Sequence, residues 1–106
     1  LRLCIFGVLI CYLYSMINAL EREILKFDNW SQPWIFYKTV IENLDNRVSE
    51  IDLFIEIWNK ASDINLWNYS DLAIGCKTSQ IFIKENYKLK DEVSAKIVKA
   101  ISYEWK

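Results

Sequence analysis

The chain has no histidine, one proline, two glycines and one methionine. The missing histidine removes the commonest metal ligand and the commonest proton-transfer group together. Helical metal sites built on inward Glu residues also draw on a Glu-x-x-His motif, which cannot occur here. So little proline and glycine leaves scant turn material, which disfavours a many-stranded β fold. Phosphate-cradling glycine loops, GxSxG and GKS/T are all absent from the sequence, which excludes the commonest nucleotide-binding and serine-hydrolase devices. Three cysteines, Cys4, Cys11 and Cys76, form no CxxC and cannot all pair. They read as free thiols in a reducing cytoplasm, and Cys76, with no imidazole to activate it, as a small buried apolar residue. The expectation is a protein with no catalytic activity, no cofactor and no metal.

Charge of neither sign dominates. The net charge is −1, with six basic and nine acidic side chains in residues 1–70, then seven lysines and five acids in residues 71–106. That balance lacks the basic excess of a nucleic-acid binder. What the sequence has in quantity is apolar surface, 53% of residues, with aromatics at 15%. This is enough for one well-filled core in a chain of one domain.

The most regular stretch runs from Tyr37 to Trp58. Tyr37, Ile41, Leu44, Val48, Ile51, Ile55 and Trp58 recur at alternating steps of four and three, the spacing of a helix with one apolar seam. One place further along runs a second row: Lys38, Glu42, Asp45, Ser49, Asp52, Glu56 and Asn59. The pattern predicts a single long helix over roughly 32–60, its core stripe flanked by an acidic ridge. A break near Asn43–Arg47 is the alternative, with Ser49 and Asp52 as a capping box and Val48 and Leu53 as a staple. Continuity is favoured because the seam keeps its phase. The same seam could be buried within one chain or between two.

Around it, Ile17, Leu20, Ile24 and Phe27 predict a helix over 16–28, and Ser31 with Pro33 a capped start to the central helix. Residues 61–69 read as a connector pinned by Leu66 and Trp67. Ser70 and Asp71 suit the start of a helix over 70–85 faced by Leu72, Cys76, Ser79 and Ile83, which Gly75 weakens. A short strand within 80–89 is the runner-up there, and Asn86 fits a left-handed cap. A last helix over 90–104 has Val93, Ile97, Ile101 and Trp105 on its face. The fold expected is all-α, a four-helix bundle-like single domain of residues 16–106 around the 32–60 helix.

Residues 3–20 carry no charge. As a helix at ~1.5 Å per residue they reach about 27 Å, just short of a bilayer's ~30 Å core. Two readings stay open for residues 1–15, which precede the only methionine. They are either an apolar extension dispensable to the fold or part of a membrane anchor, with cytoplasmic or membrane-associated location following accordingly.

Two constellations bear on function. The ridge of Glu42, Asp45, Asp52 and Glu56, with Glu50 nearby, could engage a basic protein through long-range attraction; a solvated helix face is the plain alternative. Trp30, Trp34, Phe36 and Tyr37, with Trp58, Trp67 and Tyr69, could form a pocket or binding hot spot, or simply core. The expected function is a non-catalytic protein-binding module, of the size and charge of a stoichiometric inhibitor or immunity-like protein that neutralises a cationic toxin. The alternatives are a membrane-anchored helical protein and a helix-turn-helix DNA reader using Lys90, Lys96, Lys99 and Lys106. Against the last, no arginine follows Arg47, and Asp91 and Glu92 stand at the end that should contact bases, where they would repel phosphate.

Overall fold

The structure, a computed structural model, describes residues 15–68 and 71–105. Among these there is no strand. A first helix, α1, covers residues 15–26. A 3₁₀ turn at Pro33–Ile35 leads into α2 (Phe36–Leu44), followed by α3 (Val48–Ala61), α4 (Ile64–Trp67), α5 (Leu72–Tyr87) and α6 (Asp91–Ser102). The all-α expectation holds. The four-helix count and the single 32–60 helix do not.

The central segment is a helical hairpin. Helix α2 stops at Leu44, Asp45 adopts φ 50° and ψ −111°, and α3 restarts at Val48 from an Arg47 that makes no side-chain cap. Positive φ is costly for residues other than glycine, though less so for Asp and Asn, and Asp45 takes that position here. Ring contacts establish the reversal. Phe36 lies 5.9 Å from Trp58 and 6.1 Å from Phe54, and Tyr37 stacks 5.6 Å from Phe54. On one straight helix residues 36 and 58 would stand about 33 Å apart. The reversal also re-aims the seam. Helix α2 buries Phe36, Val40 and Leu44, and α3 buries Phe54, Ile57, Trp58 and Ala61. Val48, expected in the core, begins a helix and is 66% exposed, while Tyr37, Ile41, Ile51 and Ile55 are half-buried. Ser49 is exposed and caps nothing.

Phe36 is the centre of the core. It is fully buried and its ring meets Phe27, Trp30, Phe54 and Trp58 at 5.1–6.1 Å. Such edge and offset contacts add about 0.5–1.5 kcal/mol per pair beyond burial itself. Pro33 leads the 3₁₀ turn as expected of a residue with no N–H to satisfy. Ser31 does not cap it; its hydroxyl donates to Asn29 Oδ1 at 2.7 Å instead.

Helices α1 and α6 are clamped at matching offsets. The N–H of Lys90 donates to the buried Glu21 carboxylate at 2.8 Å. Lys96 Nζ donates to the carbonyls of Leu25 and Phe27 at 2.8 and 3.0 Å. A carboxylate thus meets the positive start of α6 and an ammonium the negative end of α1, each satisfying backbone groups the helices leave open. The register, 21 beside 90 and 27 beside 96, sets the two helices parallel. Leu20 and Ile24 bring α1's apolar face into the core. Of the uncharged run 3–20, residues 3–14 lie outside the described part, whereas Ala19 and Leu20 are buried in the globule. Among the described residues no helix is long and apolar enough to cross a membrane.

Helix α5 starts at Asp71, whose carboxylate accepts from the Ala73 N–H at 2.9 Å, and runs through to Tyr87, so the strand alternative at 80–89 fails. The left-handed cap is Lys88 (φ 57°), with Asn86 instead donating to the Phe82 carbonyl at 2.8 Å. Gly75, expected to weaken the helix, is what lets Trp67 approach. A Cβ there would stand 2.7 Å from the indole Cε3. That indole is fixed, its Nε1–H donating to the Ala61 carbonyl at 2.6 Å, where the buried Ser79 hydroxyl also donates at 2.8 Å. Trp105, beyond the end of α6, stacks parallel on Trp67 at 6.4 Å. Val93, Ile97 and Ile101 are fully buried as their spacing predicts.

Candidate functional site

The hairpin distributes the acidic residues. Glu42 closes the last turn of α2, Asp45 occupies the reversal, and Glu50, Asp52 and Glu56 belong to α3. All are exposed except Glu50, which is half-buried. Asp52 and Glu56, four apart, share one face of α3. The reversal sets Glu42 and Asp45 at the turn end of the hairpin and Glu56 towards the other end of α3, so no unbroken ridge runs through all of them.

Their charge is partly answered from within. Lys38 and Lys60 lie 3.8 Å from Glu42 and Glu56, both as exposed i,i+4 pairs. Glu56 also accepts from the Tyr87 hydroxyl at 3.0 Å, tying α3 to α5. Burial, then the bond to Glu56 and its charge, push the Tyr87 phenol up to about 12. Among the described residues, no ion pair or hydrogen bond engages the Asp45 or Asp52 carboxylate.

The aromatics divide between core and surface. Phe36 and Trp58 are core, and Trp67 is the buried wedge under α5; Tyr69 lies outside the described residues. Trp34, beside them in sequence, is 72% exposed. Between these groups lies a cavity of about 310 Å³, walled by Trp30, Pro33, Trp34 and Trp58 on one side and Tyr103 and Glu104 from beyond α6 on the other. Tyr103 and Glu104 were not visible as site residues in the sequence. They follow α6 closely, and only the packing of that helix brings them opposite Trp34. Lys99 Nζ sits 4.2 Å from the Trp30 ring centre, a cation on an aromatic face.

Two of the four lysines proposed for DNA are committed elsewhere, whereas the Lys90 side chain is exposed. Lys96 holds α1's carbonyls and Lys99 covers Trp30, while Lys106 is outside the described residues. Burial raises the thiol of the half-buried Cys76, which disfavours its reactive thiolate form. Among the described residues no group of three or more Cys, Asp or Glu could hold a metal ion.

Fold and surface together define a small all-helical domain with exposed carboxylates along its α2–α3 hairpin and an aromatic hollow beside it. Comparison with protein-family models, curated proteins and solved structures finds no match for this chain.

Proposed function

We propose that this chain is a non-catalytic module that binds a basic protein, in the manner of a stoichiometric inhibitor or immunity-like protein. Its contact surface is Glu42, Asp45, Glu50, Asp52 and Glu56. The observation that supports this reading is the state of Asp45 and Asp52. Both are exposed, and among the described residues neither carboxylate is held in an ion pair or side-chain hydrogen bond, so their charge is available to a partner. Unneutralised charge of this kind accelerates encounter with a cationic surface and loses its effect as salt rises. A cytoplasmic setting goes with the reading.

The test is capture from a low-salt extract with this chain as bait, then purification of the basic protein eluted by salt and measurement of its Kd. Reversing Glu42, Asp45, Asp52 and Glu56 to lysine should weaken that Kd by about two orders of magnitude. Asp45 at positive φ and Glu56, bonded to Tyr87, make the charge reversal cost some stability, so the variant is compared at a temperature where helical circular dichroism shows it folded. A charge-reversed chain that binds as tightly as the original defeats the reading.

A further inference from the structure

The cavity beside the hairpin deepens that reading by naming the group it would take. We infer that the hollow between Trp34, Trp58, Tyr103 and Glu104 receives an arginine side chain of the basic partner. Its volume, about 310 Å³, accommodates one long side chain and not a helix. Half of its lining is aromatic, from Trp30, Trp34, Trp58 and Tyr103, and among the described residues Glu104 is the only acidic or basic side chain there. Flat aromatic surface with one carboxylate is complementary to a group that is planar, cationic and able to fork two N–H bonds, which describes guanidinium better than a compact, strongly hydrated ammonium. The molecule already uses this chemistry once, since Lys99 places its own cation on Trp30. Lys99 is not in the cavity's lining, and Phe36 stacks on Trp30 as well. Trp30 therefore serves as wall, leaving Trp34 as the indole most open to a visitor.

The probe is a blocked Gly-Arg-Gly peptide added to the full chain, followed by the indole N–H resonances of its five tryptophans. Trp34 and Trp58 should shift in a saturable way. Trp67, whose N–H is held by the Ala61 carbonyl, should not. The citrulline peptide, equal in shape but uncharged, should leave Trp34 and Trp58 in place, and the lysine peptide should bind several-fold more weakly. Glu104→Gln should weaken the arginine peptide several-fold with Trp58 as reporter, and Trp34→Ala, a change at an exposed position, should do the same. Arginine that moves neither resonance, or citrulline or lysine that moves them equally, overturns the inference. The two proposals fail separately. Loss of partner binding on reversing the hairpin carboxylates, without any loss in the Trp34→Ala/Glu104→Gln double variant, removes the arginine pocket and keeps the acidic surface.

Discussion

At the scale of single residues, the molecule rests on close fits that no pattern of spacing announces. Gly75 reads along the chain as a weak point in a helix, because glycine costs about 1 kcal/mol there relative to alanine. In the fold it is the position against which Trp67 lies, and that indole is held by the Ala61 carbonyl and stacked on Trp105. Gly75→Ala gains helix propensity but drives a methyl to 2.7 Å from a ring that cannot retreat. Overpacking of this kind costs about 1–3 kcal/mol, so the variant should be less stable by about 1 kcal/mol in urea unfolding. An Ala variant more stable than the original would mean that Trp67 is free to move. The same limit on legibility applies to Glu21. Its neighbours mark it as one more charge after an apolar run, and only the arrival of Lys90, 69 positions away, makes it the cap of another helix.

At the scale of elements, the helices α1, α5 and α6 were legible because each carries its core residues at helical spacing, and α5 also begins with an ordinary side-chain cap at Asp71. The central helix was misread for a definite reason. Leu44 to Val48 is a step of four, so a seam crossing the reversal keeps its phase and periodicity cannot distinguish one helix from two. The local composition, Asn43 to Arg47 with Asp45 and Asn46 within it, was the better guide. Between elements, the bond from Tyr87 to Glu56 joins α5 to α3 and makes a prediction in alkali. The phenol's pKa rises on folding from 10.0 to about 12. A raised value means the folded state holds the proton more tightly. The stabilisation is therefore complete below pH 10 and lost as pH climbs from about 10 to about 12. In a titration of tyrosinate absorbance, Tyr87→Phe should remove a component that ionises near pH 12, and its stability should fall less steeply over that interval. A lost component that instead titrates near pH 10, the ordinary value, would contradict the bond.

At the scale of the whole molecule, the hairpin joins core to surface. By folding α2 back on α3 it closes the aromatic core around Phe36, and it leaves Asp45 and Asp52 in solvent. The acidic residues were therefore legible as exposed, but their arrangement was not, because a row on a straight helix becomes two groups once the helix turns. The aromatic hollow was half legible. Trp30, Trp34 and Trp58 stand out by type, whereas Tyr103 and Glu104 acquire meaning only where α6 ends. The central claim is that unneutralised carboxylates on this hairpin attract a basic protein. It is tested most directly by the salt dependence of Kd for that partner, compared between the original chain and Asp45→Asn/Asp52→Asn, which keeps shape and removes charge. The account predicts weaker binding at low salt and a shallower slope of log Kd against log salt for the neutralised chain, the two converging at high salt. Superimposable lines would contradict it.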